Sequence, residues 1–412
     1  MGSSIIVVDN GLADSVKEYA QIIDGVRGND EFSKSVESHL LKRSGDDQVE
    51  IGDKRELYEK IKQASTAEVL GKLTDKEFEP TIYLLIHVLA ELTSVEAVLS
   101  DESFAIDRLV VSINPTHPLS LRDRKSIKSS SVVSILSTIF NLLPQASKVR
   151  GQVLKEILKV LETSGITFSS VQENLGSNIV SWLKSSNASE SEIKAAFWDF
   201  IALDSLYSLK SLHFIKNFTH SYSLTENELT KMIEFALKSK VVDVSFLVNN
   251  NVAKALDSFN DCKLSQLFLA YVKGELIQIE NIPSNLPQEF IHQKSKILSL
   301  AKYFADSITL KEDHDGILFT YEEVPNISSE LEFQELIVEA ITAGIVEGKL
   351  NQIDNTFSLS RVNRFVIAGD NSAIAQSWEI VKAVLQQWSQ SISNIDEIVR
   401  QTRENIVNGG TN

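Results

Sequence analysis

Residues 330–362 read ELEFQELIVEAITAGIVEGKLNQIDNTFSLSRV, and this stretch decides the fold of the C-terminal half. Its first part carries apolar residues at helical spacing and closes at Gly344, which predicts a helix. Two short runs, 349–353 and 356–362, then flank Asp354-Asn355, a pair of residues typical of a β-hairpin turn. The stretch therefore predicts a helix followed by a hairpin.

The residues before this stretch predict three further elements. They are a helix at 288–305, a short β-type run at 317–320 and a turn of helix at 321–326. Helix, strand, short helix, helix and hairpin is the order of a winged helix, which is a variant of the helix-turn-helix.

The charge of this module argues against reading DNA. From residue 312 to residue 348 there are ten acidic residues and no Lys or Arg. Phosphates would repel the helix that usually enters the major groove. Packing, or strand addition at the wing, would instead pair the module with proteins. Lys349, Arg361 and Arg364 on the wing fit at most a minor RNA contact, and a solvated edge is the simpler interpretation.

A second device for assembly follows at 370–408, where neither proline nor glycine interrupts the chain and one long helix is predicted. Apolar residues recur there at steps of four and three, which is the spacing of a seam between packed helices. We call this set the apolar seam: Ile374, Trp378, Val381, Leu385, Trp388, Ile392, Ile395 and Val399. Tryptophans and mostly uncharged flanking positions favour a bundle of three or more helices over a two-stranded zipper. The alternative is a helix folded back on its own domain.

The N-terminal half consists of successive amphipathic segments separated by hydrophilic stretches. Helices are predicted at 54–64, 80–92, 130–143, 151–163 and 170–184. No fixed repeat length is visible, which favours an irregular helical-repeat solenoid of the HEAT or TPR kind. Shorter helices follow from residue 189, among them 242–249 and 263–279. The predicted organisation is a solenoid at 1–187, a second domain at 188–365 that divides at 288/289 into helical and winged-helix parts, and the terminal helix.

Composition limits the classes of function. The 412 residues carry a net charge of −16, which disfavours a general binder of nucleic acid or acidic membranes. Only 17 Gly and 7 Pro occur, and this scarcity of helix breakers favours a mainly α protein. Cys262 is the only cysteine, so no internal disulfide can form. The chain lacks a secretory segment and a run long enough to span a bilayer, so a cytoplasmic protein is expected.

Motifs for catalysis or cofactors are not found in the sequence. It contains no phosphate-binding glycine loop, no nucleophile elbow and no zinc-protease motif. The seven histidines never fall three or four residues apart. Residues 311–322 imitate part of a calcium loop, but Lys311 stands where the first carboxylate ligand belongs. We expect no enzyme activity, no cofactor and no metal.

Several segments give the chain a resemblance to the PCI family, which is named for the proteasome lid, the COP9 signalosome and translation initiation factor 3. They are FWDFIAL at 197–203, residues 241–251, FIHQKSKILSLA at 290–301 and LIVEAITAGIVEGKLNQ at 336–352. Arg364-Phe365 and the spacing W-x6-L-x2-W over Trp378, Leu385 and Trp388 add to it. The resemblance covers roughly the second half of the chain.

This resemblance implies a non-catalytic scaffold subunit whose terminal helix bundles with sister subunits. The complex it favours is translation initiation factor 3, with PCI and MPN subunits as partners and the 40S ribosome bound through the assembled factor. Support of mRNA recruitment would be its function, without membrane or DNA contact. Two alternatives remain: a PCI subunit of the COP9 signalosome or proteasome lid, and a stand-alone RNA-binding winged-helix protein.

Overall fold

The structure is a computed structural model that describes residues 11–42, 49–99, 101, 104–115, 126–164, 166–308, 317–327, 329–363, 366–367 and 371–409. The chain divides into two compact units, Met1–Ser205 and Leu206–Asn412. Most described residues are helical, which confirms the predicted mainly α fold. The boundary predicted at 187/188 stays a prediction.

The first unit is almost entirely helical. Its helices are α1 (Leu12–Arg27), α2 (Glu31–Glu37), α3 (Lys54–Ala64), α4 (Ala67–Leu70), α5 (Asp75–Leu92), α6 (Val95–Leu99), α7 (Ile106–Ser112), α8 (Ser129–Leu142), α9 (Lys148–Thr163), α10 (Phe168–Gly176), α11 (Ile179–Ser185) and α12 (Glu190–Ala202). Strands β1 (Leu40–Lys42) and β2 (Val49–Ile51) pair antiparallel between α2 and α3. Most helices pack on a neighbour in sequence, and α5 also contacts α1 and α8. This pattern suits an irregular helical-repeat array.

The second unit joins short helices to a winged helix and ends in a long helix. Its elements are α13 (Leu209–Ser221), α14 (Glu226–Lys238), α15 (Asn250–Ser258), α16 (Lys263–Val272), α17 (Gln288–Ile308), β3 (Ile317–Thr320), α18 (Glu330–Thr342), β4 (Val346–Asn351), β5 (Thr356–Val362) and α19 (Asn371–Gly409). The three strands form an antiparallel sheet in the order β3-β5-β4. A short 3-10 turn, Tyr321–Glu323, follows β3. The predicted winged helix is therefore present.

Aromatic side chains hold the winged-helix sheet on α17. The rings of Phe304 and Phe319 have centroids 4.5 Å apart, and those of Phe304 and Phe357 are 5.5 Å apart. All three side chains are fully buried, together with Phe333 from α18. Burial of an aromatic side chain contributes roughly 1.5–3 kcal/mol, so these residues dominate the core of the module.

Three predicted helices have different bounds because the chain itself interrupts them. The helix predicted at 170–184 is two helices, α10 and α11, because Gly176-Ser177-Asn178 are poor helix formers at which the first helix ends. The segment 242–249 holds only the 3-10 turn Ser245–Leu247, whose first N–H is taken by Asp243. The helix from 263 ends at Val272, since Gly274 adopts a left-handed φ of 69°.

The hairpin begins earlier than predicted, at Val346, because β4 contains a bulge. The register shifts between Glu347 and Gly348. A Cβ on Gly348 would meet the ring of Phe357 and the carbonyl oxygen of Ser358. Glycine at this position therefore lets β4 pass directly over the central strand β5.

Replacing Gly348 with alanine is expected to destabilise the winged helix by about 1–3 kcal/mol, because the added methyl group must displace a packed ring or the backbone. Hydrogen exchange of the β4 and β5 amides checks this, and faster exchange is expected. Gly25→Ala is a matched control, since a Cβ at Gly25 meets nothing within 4 Å. Equal protection in the two variants would contradict the overpacking argument.

Candidate interaction surfaces

The terminal helix α19 runs without interruption for 39 residues, from Asn371 to Gly409. Its bounds differ by one residue at each end from the predicted 370–408. At 1.5 Å per residue the helix is about 58 Å long. A helix of this length offers a long surface for other helices.

The side chains of the apolar seam lie mostly in solvent. Seven of its eight members are exposed, and Ile374 is half-buried. Trp378 is 67% exposed, Leu385 55% and Trp388 63%. A helix folded back on its own domain would bury these residues. Apolar patches of this kind mark interaction sites, because covering them removes a large hydrophobic area from water.

Three apolar residues extend this surface beyond the predicted set. Val384 and Ile398 flank the seam and are exposed, and Ile406 is 71% exposed. Ile406 continues the four-and-three spacing from Val399 through Thr402, so periodicity alone would have found it. The flanking pair widens the apolar face on one side, which suits contact with more than one neighbouring helix.

The middle of α19 carries no charge on any face. Residues 383–395 read AVLQQWSQSISNI, without Asp, Glu, Lys or Arg. Its polar face consists of Gln, Ser and Asn, which lose less on desolvation than ions do. The composition fits a helix whose centre is enclosed by partners and whose ends, with Glu379, Lys382, Arg400 and Arg403, remain in water.

The wing does not assemble a basic cluster among the described residues. Lys349 is exposed opposite Ser358, whereas Arg361 lies opposite Glu347. The Arg361 guanidinium is 2.9 Å from the Glu347 carboxylate, which offsets its charge. Arg364, the third predicted RNA contact, lies outside the described residues. The minor RNA contact therefore stays a prediction that this geometry does not strengthen.

Replacing Arg361 with glutamate is expected to leave assembly with partner proteins unchanged and to lower winged-helix stability by at most about 1 kcal/mol. The reason is that a solvent-exposed ion pair contributes about 0–1 kcal/mol. Co-purification of partners with the tagged variant and its thermal unfolding check the two parts. Loss of partners would show that the wing takes part in assembly.

Helix α18 is the acidic element predicted to avoid DNA. Glu332 makes an ion pair of 2.9 Å with Lys296, and Glu339 accepts a hydrogen bond of 2.8 Å from Gln293. The carboxylates of Glu322 and Glu330 raise the pKa of the half-buried Tyr321. The surface around the start of α18 thus has a negative potential that phosphates would meet with repulsion.

The described part of the chain holds no cluster of three or more His, Cys, Asp or Glu side chains placed to bind a metal ion. The segment that imitates a calcium loop falls mainly on residues 311–316, which lie outside the described residues. None of the described helices combines the length and hydropathy that a bilayer span requires.

Comparison with known proteins matches the resemblance seen in the sequence. The chain is similar to the protein named eukaryotic translation initiation factor 3 subunit M from Aspergillus clavatus, with 24% identity over 433 residues, 98% of this chain and 87% of that protein. The protein of the same name from Emericella nidulans is 24% identical over 438 residues, covering 98% and 91%. The one from Yarrowia lipolytica is 23% identical over 429 residues, covering 98% and 96%. No family model matches the chain.

Among PCI proteins, the segment at 336–352 and the W-x6-L-x2-W spacing resemble this same subunit m in particular. The comparison confirms the resemblance to subunit m. The similarity extends beyond the quoted segments to nearly the whole chain, including the N-terminal half.

Proposed function

We propose that the chain is a non-catalytic scaffold subunit of a translation initiation factor 3 complex. Similarity over 98% of its length to proteins named as subunit M of that factor supports the assignment. The related proteins match along nearly their whole length as well, up to 96% in the Yarrowia lipolytica protein. The similarity therefore covers nearly the whole length of those proteins rather than one shared module.

The exposed apolar face of α19 is the observation that carries the scaffold role. Burying a large apolar side chain contributes roughly 1.5–3 kcal/mol, so a face with seven exposed seam residues favours a covered state strongly. The proposed cover is helices of sister subunits of the PCI and MPN kinds. Because Val384 and Ile398 widen the face, more than one partner helix is expected to contact α19.

The remaining parts have supporting roles in this proposal. Residues 1–187 offer a side surface to neighbouring subunits, 188–288 and 289–365 form the PCI module, and 370–408 lock the subunit into a helical bundle. The assembled factor supports 40S binding and mRNA recruitment in the 43S preinitiation complex. The proposed location of the chain is the cytoplasm, with neither DNA nor a membrane as a partner.

Mass spectrometry of the proteins that co-purify with a tagged copy tests the proposal. Translation initiation factor 3 subunits together with 40S ribosomal proteins are expected. Cullins or proteasome ATPases in their place would assign the chain to the COP9 signalosome or the proteasome lid and overturn it. Tight, strongly salt-dependent RNA binding by the isolated chain, without sister subunits, would favour the stand-alone alternative.

A further inference from the structure

Helix α18 presents a second unpartnered surface, separate from α19. Leu331, Glu335, Val338 and Thr342 follow one another at steps of four, three and four, so they line one side of the helix. We call this line the acidic–apolar face. Leu331 is 65% exposed and Val338 53%, and Ile341 borders them at 38%.

The position of Glu335 makes this face more than a pair of exposed apolar residues. Within the described residues Glu335 has neither an ion pair nor a hydrogen bond, and it stands between Leu331 and Val338. Its neighbours along the helix, Glu332 and Glu339, are already engaged by Lys296 and Gln293 of α17. The free carboxylate is therefore flanked on both sides by exposed apolar carbon.

No basic residue lies near along the chain to neutralise this face. From Ile317 to Gly348 every charged residue is an acid, and the nearest basic residue after the helix is Lys349 in β4. An occupant of the face must bring its own positive charge. It must also bring apolar side chains about 10 Å apart, because seven helical residues separate Leu331 from Val338.

We propose that the acidic–apolar face of α18 binds a basic amphipathic segment of another protein. A Lys or Arg of that segment pairs with Glu335, and two apolar side chains beside it cover Leu331 and Val338. Binding removes the apolar surface from water and also leaves less water around the ion pair. An ion pair is stronger where less water surrounds it, so each contact strengthens the other. The proposal does not depend on the role of α19. It assigns the winged helix a protein partner, because the acidic charge of the module disfavours nucleic acid.

Other occupants are less compatible with the charges. Phosphate groups would face Glu330 and Glu335 without a compensating cation, which opposes RNA. A second copy of this chain brings a net charge of −16 to an acidic surface, so its approach is repelled at low ionic strength.

Fluorescence anisotropy with the full-length chain tests the proposal. The probe is a labelled synthetic helical peptide of Lys and Leu, with its leucines on one face. The reference peptide has the same composition with its leucines scattered around the helix. The patterned peptide is expected to bind at least tenfold more tightly than the reference.

The variants Glu335→Lys and Leu331→Ser/Val338→Ser are each expected to weaken binding of the patterned peptide about tenfold or more, since a few central residues dominate small interfaces. The controls Glu162→Lys and Leu142→Ser alter exposed residues of the other unit and are expected to change binding less than twofold. All five substituted residues are exposed, so circular dichroism is expected to show an unchanged helical fold.

Four outcomes would overturn the proposal. They are no binding of the patterned peptide, equal binding of the two peptides, equal effects of the α18 variants and the controls, and sedimentation showing that the α18 variants dissolve a dimer of the chain. The last result would identify a second copy as the occupant. Failure here leaves the co-purification result for the proposed complex unaffected, so the two inferences can fail separately.

Discussion

Replacement of both Leu385 and Trp388 by aspartate is expected to release the chain from its complex while its helical fold persists. The two residues occupy successive positions of the apolar seam and are both more than half exposed, so their loss removes little internal packing. Covering them contributes roughly 1.5–3 kcal/mol each, and a carboxylate forced into an apolar interface adds a penalty of several kcal/mol. Since 1.4 kcal/mol is a tenfold change in affinity, a loss of several orders of magnitude is expected.

Co-purification of sister subunits with a tagged variant measures this release, and circular dichroism checks the fold. Gln387→Asp/Gln390→Asp is the matched control, because it adds the same two charges to the same helix outside the seam. The control is expected to keep its partners. Retention of partners by the seam variant would mean that α19 is not the contact, and loss in both variants would point to charge on the helix rather than to the seam.

The winged helix was predictable because the spacing of apolar residues changes between that of a helix and that of short strands within fifty residues. Helical spacing in 330–342 gives way to short runs around Asp354-Asn355, and this change of period is visible without any tertiary information. Where tertiary contacts determine the bounds of an element, the prediction from sequence was wrong. The bulge at Gly348 begins β4 three residues early, because the ring of Phe357 beneath it selects the register.

Short elements were missed for a related reason. Strands β1 and β2 have three residues each, which is too short to show a period of two. The 3-10 turn at Ser245–Leu247 depends on a local bond from its backbone to Asp243, and apolar spacing does not reveal such a bond.

The position of the apolar seam was predictable from the sequence, but its exposure was not. A stripe of period 3.5 is the same in a helix packed on its own domain and in one that binds a partner, so the sequence leaves both open. In the structure Trp378 and Trp388 are exposed and Ile374 is half-buried. The acidic–apolar face of α18 was not predictable for another reason. Leu331 and Val338 share the apolar character of the buried residues of the helix, and the sequence does not tell which of these residues are covered.

Lys294 is the residue that sequence reasoning had least means to find. It lies in the stretch FIHQKSKILSLA of α17 and is only 3% exposed. Its ammonium group donates to the carbonyl oxygens of Leu237 and Ser239 at 3.3 and 2.9 Å, at the C-terminal end of α14. It also lies 5.4 Å from the ring centre of Tyr271. The lysine thus satisfies carbonyls that lack an N–H partner within the helix.

Burial lowers the pKa of Lys294 from its ordinary value of 10.5 to about 7. Between these two values the unfolded chain binds more protons at this position than the folded chain, so the free energy of unfolding is expected to rise with pH across that window. One pKa unit corresponds to about 1.4 kcal/mol, so the rise amounts to a few kcal/mol. Below pH 7 both states are protonated and the contribution no longer changes. Above pH 10 the raised pKa values of buried Tyr19 and Tyr271 act in the opposite direction.

Lys294→Met is therefore expected to remove the rise in stability between pH 7 and 9.5. At pH 9.5 the variant is expected to be less stable than the wild type by about 2–3 kcal/mol, because the α14 carbonyls lose their donor. At pH 6.5 the difference shrinks, since the wild type must then keep a charged amine in an apolar site. Thermal unfolding at several pH values, with hydrogen exchange of α14 and α17, measures both effects, and Lys231→Met on the exposed side of α14 is the control. Parallel pH profiles for wild type and Lys294→Met would mean that the amine stays charged at neutral pH, stabilised by the carbonyls that surround it.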